Sequence, residues 1–329
     1  MKEKLIEVLS IQTASYEQFR MFAYLIRELK RLDCAYYTYN GCIYATKGYA
    51  DVYPCVVAHM DTVHDMTDDL TVIEIDGNLT GFNKVKMKQT GIGGDDKVGI
   101  FVALQCLENF DNIKVAFFRD EEVGCEGSYN ADVSFFEDCR FVLQCDRRGY
   151  GDFITSASGT DLSSKDFQNA VSPIITDYGY EFQNGMMTDV MALKELGIGC
   201  SMANISCGYY NPHMDTEYVN VLEVQLVTNM VFEIISKCED DYPHKYKAAV
   251  TYKPKYKDYT FYDEEWEKYD KKEVDKVSYT KGDTHWDSIG KVDCCDDCGN
   301  TSNHFTYVRP YNSWVCDDCY VTLMEEIPY

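Results

Sequence analysis

Histidine and acidic residues lie close together at the end of one apolar run of the sequence. The run CVVAHMD ends with His59 and Asp61, and a spacing of two residues on a strand points both side chains to the same face. On such a face one side chain can bind a metal ion while the other fixes the imidazole tautomer through the second ring nitrogen. Isolated pairs of this kind are more often solvated surface charge, so a metal site requires several such groups in order.

Further acidic residues and a second histidine follow other predicted elements. Asp95 and Asp96 come after two glycines and open a predicted helix, whose backbone amides would hold their carboxylates. The remaining candidates are Glu121 and Glu122 at the end of KVAFFRDEE, Asp146 at the end of VLQCD, and His213 after NISCGYYNP. Open α/β sheets place their ligands just beyond such strand ends. Two imidazoles and several carboxylates fit a pair of zinc ions bridged by one carboxylate.

The elements that must position these residues alternate between strands and helices. Apolar residues at three- and four-residue spacing predict one or two amphipathic helices in residues 1–32, broken near Thr13–Ser15. Glycine-punctuated β-rich runs follow, with a turn at Asp76–Asn78 between two more strands. From Gly93 onwards, predicted helices (Lys97–Asn109, Thr188–Leu196, Val221–Lys237) alternate with the strands KVAFFRDEE, RFVLQCD and residues 200–205. This order predicts an α/β fold with a mixed or parallel central sheet flanked by helices.

The composition excludes some classes of partner. Lys and Arg total 31 against 55 Asp and Glu among 329 residues, a formal charge of −24. Such a charge repels nucleic-acid phosphates and anionic lipid headgroups, so we expect neither nucleic acid nor a membrane as a partner. No apolar run approaches the roughly 20 residues of a membrane span, and the first residues lack the apolar stretch of a secretory signal. We therefore expect a soluble, cytoplasmic protein.

Three segments of the chain differ in composition. Residues 1–237 carry the α/β pattern and all the candidate ligands described so far, so we expect them to form one domain. Residues 238–290 are rich in Tyr, Lys, Asp and Glu with few aliphatic residues, which is typical of a charged linker without a core of its own. Residues 291–329 are expected to form a small separate module because cysteines cluster there.

The cysteines of this last segment have the spacing of a zinc ribbon. Two CxxC pairs are separated by seventeen residues that include a predicted β-hairpin, and the four thiols belong to Cys295, Cys298, Cys316 and Cys319. Four thiolates complete a closed zinc site, which folds a module but offers no open position to a substrate. Acidic residues inside both pairs favour a protein partner or a purely structural role. The alternative is incidental cysteines, as for the nine scattered through residues 1–237, which we expect to be buried free thiols.

Five motifs together carry a resemblance to a known family. HMDTV, GGDDKVG, DEEVGCEG, QCDRRG and NPHMDTEYV resemble the successive metal motifs of the zinc exopeptidase family that contains peptidase T, carboxypeptidase G and the aminoacylases. The resemblance extends over roughly residues 50–235 and is greatest to the peptidase T members. It implies a catalytic core in residues 1–237 and two zinc ions at the active site, in addition to one structural zinc in the ribbon.

The resemblance also implies which residues would hold the two active-site zinc ions. One zinc would be bound by His59, Asp95 and Asp146. The second would be bound by Asp95, Glu122 and His213, so that Asp95 bridges the pair.

Two further residues match catalytic positions of the family. Asp61 resembles the carboxylate that lies behind the first histidine, and Glu121 resembles the general base. Such a base takes a proton from the zinc-activated bridging water and returns it to the leaving amine. Asp95, and not Asp96, is expected to be the bridge because the first aspartate matches the family's bridging position.

The sequence departs from the family pattern in one respect. Peptidase T and carboxypeptidase G insert a lid or dimerisation domain between the metal-binding aspartate and the last histidine. Here 66 residues separate Asp146 from His213, and part of them is needed for a helix and a strand of the core. We therefore expect a catalytic core without the lid, which leaves the oligomeric state open.

Two other polar residues near the motifs have alternative interpretations. Asp189 lies where related enzymes keep a polar residue near the cleft, but it equally fits a carboxylate that accepts hydrogen bonds from the first amides of a helix. His64 follows the HMDTV motif by one residue and is expected to be exposed to solvent.

These interpretations together predict a metal-dependent hydrolase. It would cleave an amide bond of a short peptide, as aminopeptidases and tripeptidases do. One alternative is a deacylase of the same family acting on N-acyl amino acids. Another is a non-catalytic binding or adaptor protein that uses the zinc ribbon to contact a protein partner. The metal itself could be zinc, manganese or cobalt, since the ligand types suit all three.

Overall fold

The structure of the protein, a computed structural model, describes residues 1–67 and 69–246 and two short strands further along the chain. These residues fall into two units, one containing residues 1–246 and one containing the two distant strands. The first unit contains every candidate ligand outside the cysteine cluster.

The first unit alternates strands with helices. Its helices are α1 (Lys2–Ser10), α2 (Phe19–Arg31), α3 (Gly94–Asn109), α4 (Glu126–Tyr129), α5 (Lys165–Asp177), α6 (Asp189–Glu195) and α7 (Val221–Lys237). Its strands are β1 (Ala35–Tyr39), β2 (Cys42–Lys47), β3 (Tyr53–His59), β4 (Leu70–Ile75), β5 (Asn78–Asn83), β6 (Lys88–Thr90), β7 (Ile113–Phe118), β8 (Cys139–Arg147), β9 (Asp152–Ala157), β10 (Thr160–Asp161), β11 (Glu181–Gly185), β12 (Ser201–Ser206), β13 (Tyr209–Tyr210) and β14 (Tyr218–Asn220).

Four parallel strands form the centre of a mixed nine-stranded sheet. The order along the sheet is β1-β2-β7-β3-β8-β12-β9-β10, with β11 beside β9. Strands β7, β3, β8 and β12 run parallel to one another, whereas β1, β2, β9 and β10 join by antiparallel pairing. The predicted mixed sheet is thereby confirmed. Since parallel strands end at the same edge, the residues that follow them meet there.

Both faces of the central sheet are covered. Every residue of β3 is buried, as expected for an apolar run in a parallel strand packed on two sides. Cys55 and Val57 of β3 belong to one hydrophobic cluster with Val190 and Leu193 of α6. Helix α3, which is buried along most of its length, also packs against β3 and β8. The sheet is therefore flanked by helices, as predicted.

The first two helices confirm the break predicted at Thr13–Ser15. Helix α1 buries Leu5, Val8 and Leu9 on one face, and the chain then leaves the helical conformation before α2 begins. The backbone of this loop pairs with Thr62, whose amide donates to Thr13 O and whose carbonyl accepts from Ser15 N. The loop between the two helices therefore lies against the chain that follows β3.

A second, antiparallel sheet combines three strands between the HMDTV and GGDD motifs with two strands that flank the His213 segment. Its order is β13-β14-β5-β4, with β6 beside β5. The predicted turn between its strands is confirmed, because Asp76 and Gly77 adopt positive φ values of 49° and 80° between β4 and β5. Pairing of β14 with β5 ties residues 218–220 to residues 78–80.

The residues between Asp146 and His213 extend the sheet instead of forming a lid. Strand β9 pairs antiparallel with β12, and β11 runs parallel to β9 at the far side. Helix α5 connects β10 to β11 within the same unit. Helix α5 and strands β9, β10 and β11 were not predicted from the sequence. Strand β11 is mostly exposed and shows no apolar alternation, whereas β9 and α5 bury apolar residues.

The cysteines of the first unit are free and buried, as expected for small apolar side chains. They are Cys34, Cys42, Cys55, Cys106, Cys125, Cys139, Cys145, Cys200, Cys207 and Cys238. Among the helices that the structure describes, none combines the length and the apolar character required to cross a membrane.

The second unit contributes an antiparallel hairpin of β15 (Phe305–Val308) and β16 (Ser313–Cys316). This confirms the hairpin predicted between the two CxxC pairs. The rest of the predicted ribbon, including Cys295, Cys298 and Cys319, lies outside the described residues, as does most of the predicted linker.

Residues 238–246, which the composition predicts to be part of the linker, pack against the rest of the first unit. Tyr242 is buried, and its ring centroid lies 5.1 Å from that of Phe167 and 6.3 Å from that of Phe141. Its carbonyl accepts a hydrogen bond from Ser201 N at 2.8 Å. The buried Lys194 ammonium donates to His244 O at 2.9 Å. This segment therefore belongs to the α/β core.

We expect a chain truncated after residue 246 to be more stable than one truncated after residue 237. The shorter chain loses the Tyr242 ring and uncovers Phe141 and Phe167, which costs on the order of 3 kcal/mol. For a unit of this size the melting temperature should fall by about 6–12 °C. Thermal unfolding followed by circular dichroism measures the difference, and Tyr242→Ala in the full chain should reproduce part of it. Equal melting temperatures for the two truncated chains would contradict the assignment.

Candidate metal centre

The candidate ligands meet at the carboxyl edge of the parallel strands. His59 is the last residue of β3, and Asp146 is the last but one of β8. Val57 pairs with Gln144 across these two strands, so residues two positions further on lie side by side. Glu121 and Glu122 were expected at the end of a strand, but β7 ends at Phe118 and both lie in the turn that follows.

His59 lies at the centre of a group of carboxylates. Its side chain is fully buried, and its Nε2 atom is 3.2 Å from Asp95 Oδ1 and 3.5 Å from Asp146 Oδ1. Glu121 Oε2 is 3.9 Å from the same nitrogen. These four residues come from four separate segments, the end of β3, the start of α3, the turn after β7 and the end of β8, and their charged atoms share a space that the protein encloses almost completely.

His213 faces the same group from the other side. Its Nε2 atom is 3.1 Å from Glu122 Oε2 and 3.4 Å from Asp95 Oδ2. Asp95 therefore presents one carboxylate oxygen to each imidazole, Oδ1 to His59 and Oδ2 to His213. About half of the His213 side chain is exposed, so the site opens to solvent on this side.

Asp96 has a different set of partners from its neighbour Asp95. The peptide bond between them is cis, and both residues have non-helical backbone angles ahead of the regular turns of α3. Asp96 Oδ2 accepts a hydrogen bond from His59 N at 3.1 Å, and Oδ1 accepts one from Gly99 N at 3.0 Å. The backbone amides expected to hold both carboxylates hold that of Asp96, whereas Asp95 faces the imidazoles.

Two groups of residues bring their donor atoms close enough to hold a metal ion. One consists of His59, Asp95 and Glu122, and the other of His59, Asp96 and Asp146, with ligand atoms within 4.8 Å of one another. Both oxygens of Asp96 already accept backbone hydrogen bonds. The carboxylate of Asp95 is therefore more available to a metal ion than that of Asp96.

Asp61 holds both the first imidazole and the turn after β7. Its Oδ1 atom is 3.4 Å from His59 Nδ1, and its backbone oxygen is 3.0 Å from the same nitrogen. The carboxylate accepts hydrogen bonds from Glu121 N at 2.9 Å and from Ser15 Oγ at 2.8 Å. Asp61 therefore orients the His59 ring and fixes the backbone that carries Glu121 and Glu122.

A separate set of polar residues holds Asp146. Asn204 Oδ1 accepts from Asp146 N, and Asn204 Nδ2 donates to Asp146 O, each at 3.0 Å. Gln144 Nε2 donates to Asp146 Oδ2 at 3.1 Å and to the buried Asp189 Oδ2 at 2.9 Å. Thr188 Oγ1 lies 3.2 Å from Asp146 Oδ2. Asp189, the first residue of α6, thus acts on the site through Gln144.

Burial and mutual repulsion shift the ionisation of the acidic groups. Burial, together with the nearby Asp95 charge, raises the pKa of Glu122 to about 8 and that of Asp146 well above its usual range. Burial also raises the pKa of Glu121. Burial alone would raise the pKa of Asp95, but hydrogen bonds from His213 and His59 outweigh it and lower that pKa. The hydrogen bond to Asp95 raises the pKa of His213 to about 9.

The residues present fit a site for divalent metal ions. Imidazole nitrogens and carboxylate oxygens are the ligands that zinc, manganese and cobalt share. Glu122 Oε1 is buried and has no hydrogen-bond partner among the described residues, which leaves one acceptor directed at no protein donor. Crowded buried carboxylates are stabilised by a cation placed among them.

Sequence reasoning missed one buried acid and misjudged one histidine. His64 was expected to be exposed, but only 19% of its side chain is accessible, and its Nε2 atom lies 2.8 Å from Glu217 Oε2. Glu217 itself is fully buried and was assigned no role. The signal that could have pointed to it is its position four residues after His213, in the motif HMDTE.

Solved structures of other proteins share this fold, although their sequences differ widely from this one. No family model and no curated protein sequence match the chain. The structure of aminopeptidase PepT from Bacillus cereus ATCC 10987 is similar, with 12% identity, a TM-score of 0.60, and coverage of 72% of this chain and 98% of that one. A tripeptidase from Staphylococcus aureus subsp. aureus Mu50 is similar at 13% identity and a TM-score of 0.58, covering 71% and 96% of the two chains. Aminopeptidase APDkam598 from Desulfurococcus kamchatkensis is similar at 16% identity and a TM-score of 0.54, covering 71% and 94%.

At these identities the likeness establishes the fold alone. The chain therefore has the fold of solved aminopeptidase and tripeptidase structures, built around a candidate metal centre at the carboxyl edge of its parallel strands.

We expect Gly99→Ala to destabilise the protein although alanine is the better helix former. A Cβ atom at position 99 would lie 2.2 Å from Asp96 Oδ1 and 2.7 Å from Asp96 Cγ, so the carboxylate must leave its backbone partners. We expect a loss of about 1–3 kcal/mol in the free energy of unfolding, measured in urea. Gly199→Ala is the control, because a Cβ atom there meets nothing within 4 Å. Equal effects of the two substitutions would contradict this role of Asp96.

Proposed function

We propose that this protein is a metal-dependent hydrolase that cleaves an amide bond of short peptides. The observation that carries the proposal is the position of Asp95, whose two oxygens face the two imidazoles His59 and His213. Three more carboxylates surround these groups at a site that is partly open to solvent. A carboxylate between two imidazoles suits a bridging ligand for a pair of metal ions.

The proposed ligands form two sets that share one residue. His59, Asp95 and Asp146 would hold one zinc ion, and Asp95, Glu122 and His213 would hold the other. The proposal is supported by the distances of 3.1 to 3.5 Å between the imidazole nitrogens and the carboxylate oxygens of these sets. Manganese or cobalt could occupy the same positions, because the ligand atoms are nitrogen and oxygen.

The proposed chemistry uses Glu121 as the general base. A pair of bound metal ions would acidify a water molecule and polarise the scissile carbonyl. Glu121 would accept the proton of that water and return it to the leaving amine, which requires a carboxylate oxygen beside the site. Glu121 Oε1 accepts a hydrogen bond from Cys125 Sγ at 3.3 Å, so Oε2 is the oxygen proposed for this role. Its Oε2 atom lies 3.9 Å from His59 Nε2, and Asp61 holds its backbone in place.

A short peptide is the proposed substrate. Solved structures of the same fold include an aminopeptidase and a tripeptidase, which favours peptide over N-acyl amino acid. The stretch between Asp146 and His213 builds the sheet edge, so substrate contacts in the described part of the chain come from the loops around the site itself. Hydrolysis of peptides compared with hydrolysis of N-acetyl amino acids would separate this proposal from the deacylase alternative.

The cysteine-rich segment is proposed to hold a structural zinc through Cys295, Cys298, Cys316 and Cys319, and to offer a surface to a protein partner. The support for this proposal is the spacing of the two CxxC pairs around a hairpin. Such a zinc would stabilise the segment and take no part in hydrolysis.

We expect His59→Ala to remove metal from the protein. The wild-type chain should carry about three zinc ions after dialysis, two at the candidate centre and one at the cysteines, whereas His59→Ala, which removes a ligand of one of the pair, should retain about two. Metal analysis by mass spectrometry measures this content. His244→Ala is the matched control. His244 N donates to Gly199 O just before β12 begins, at the sheet edge opposite to the one where the candidate ligands meet. Equal zinc content in wild type and His59→Ala would contradict the proposed centre.

We expect Glu121→Gln to retain metal and lose turnover by at least about a hundredfold, because an amide cannot accept the proton. Hydrolysis of di- and tripeptides and of N-acetyl amino acids by zinc-loaded protein is measured side by side. The exposed Glu195 provides the control Glu195→Gln, which should keep full activity.

The same measurements separate the alternatives. Cleavage of N-acetyl amino acids without cleavage of peptides would identify a deacylase. A wild-type protein that binds two metal ions at the centre but cleaves neither class would favour the binding or adaptor protein. Undiminished turnover by Glu121→Gln would remove Glu121 from its proposed role.

A further inference from the structure

Glu217 is a fully buried acid whose carboxylate accepts four hydrogen bonds from two other parts of the chain. Its Oε2 atom accepts from Gly93 N at 2.6 Å and from Ile92 N at 3.0 Å. Its Oε1 atom accepts from Asp95 N at 3.3 Å. Three amides of one short loop thus converge on a single side chain, an arrangement that backbone uses to bind anions.

His64 supplies the fourth hydrogen bond. Its Nε2 atom lies 2.8 Å from Glu217 Oε2. Because Glu217 Oε2 already accepts from two amides, this nitrogen is the donor and carries the hydrogen. His64 follows β3 by five residues, so Glu217 also contacts the loop that continues from His59 and Asp61.

Glu217 comes from the same segment as the second imidazole. It follows His213 by four residues, and Glu217 N donates to Met214 O at 3.0 Å, which closes the turn between them. On its other side, Glu217 O accepts from Thr80 Oγ1 at 2.9 Å. The segment that carries His213 is therefore bonded through Glu217 to the loop that carries Asp95.

The Asp95 loop is packed tightly at this point. Gly93 adopts a left-handed conformation with φ of 68°. A Cβ atom on Gly94 would lie 2.7 Å from Tyr209 Cβ and 3.3 Å from Glu217 Oε1. Since the loop approaches its neighbours this closely, a shift of the Glu217 carboxylate must shift the loop and the Asp95 carboxylate with it.

We propose that Glu217 is a positioning residue that sets the distance between Asp95 and His213, and through it the affinity of the centre for metal. The part of this inference that concerns metal rests on the proposed function. The part that concerns the anchoring of the Asp95 loop does not, because it depends on contacts within the protein alone.

Glu217→Gln is the informative substitution because it keeps the size of the side chain. If the amide oxygen takes the place of Oε2, its NH2 group faces Asp95 N, where two donors repel each other. The hydrogen bond next to the proposed bridging ligand is therefore the one lost. Asp215→Asn is the matched control, since it removes one charge from the same segment at an exposed side chain paired with Lys88.

The first measurement is manganese affinity of the full-length protein by calorimetry. Mn²⁺ prefers oxygen and nitrogen ligands to thiolates, so the cysteine-rich segment does not contribute. We expect Glu217→Gln to weaken Mn²⁺ binding by about 10–100-fold, and Asp215→Asn by about threefold or less. A structural role without positioning would lower the melting temperature of Glu217→Gln and leave the affinity of the folded protein unchanged. That result would overturn the inference.

The second measurement is amide hydrogen exchange of the metal-free protein by mass spectrometry. Peptides that span residues 90–96 should exchange at least about tenfold faster in Glu217→Gln, because Asp95 N loses its acceptor and the amides of Ile92 and Gly93 then face a neutral oxygen. Peptides from α7 should be unchanged. If the wild-type protein binds neither manganese nor zinc at the centre, the proposed function fails, and exchange alone decides the anchoring: unchanged protection of residues 90–96 overturns it, and faster exchange supports it.

A second variant covers the case in which Glu217→Gln does not fold. His64→Leu removes only the side-chain donor and leaves the three backbone hydrogen bonds. We expect it to weaken Mn²⁺ binding by about three- to tenfold. Unchanged manganese affinity and unchanged exchange in His64→Leu would overturn the inference.

Discussion

Repulsion among buried carboxylates is the constraint on which the rest of this structure depends. The carboxylates of Asp95, Glu122 and Asp146 lie together in a space that solvent hardly reaches. Ionised groups are stable in such a space only where cations or hydrogen-bond donors face them. The imidazoles of His59 and His213 supply part of the compensation. The parallel strands supply the framework, because their shared carboxyl edge is where loops from distant parts of the sequence can meet without crossing the core.

A second set of acids uses its carboxylate oxygens to accept hydrogen bonds from backbone amides. Asp61 accepts from the amides of the turn after β7, Asp96 from the end of β3 and the first turn of α3, and Glu217 from the loop before α3. Hydrogen bonds from amides to an ionised carboxylate are among the stronger ones in proteins. These three acids therefore join the segments of the centre to one another.

Most of the framework could be predicted from the sequence because parallel strands buried on two faces appear as continuous apolar runs. The strand that ends at His59 is of this kind. The helix at Val221–Lys237 could be predicted for a related reason, because its buried residues recur at helical spacing. The edge strand β11 could not be predicted in the same way, because it is mostly exposed. Helix α5, in contrast, buries apolar residues at helical spacing, so its signal was present in the sequence although no helix was predicted there. The segment around Tyr242, like β11, shows no apolar pattern. The burial of Tyr242 depends on Phe141 and Phe167, which lie far away in the sequence.

The sequence by itself determined which residue types reach the carboxyl edge of the sheet, and in which order along the chain. It did so because each motif follows an element whose pattern is local. The tertiary structure alone decided how neighbours divide their partners. Asp95 and Asp96 share one local signal, yet Asp95 faces His59 and His213 while Asp96 accepts from backbone amides. The contact between His64 and Glu217 joins residues 153 positions apart. Such contacts depend on how the loops meet after the sheet has formed, and no pattern within one segment records them.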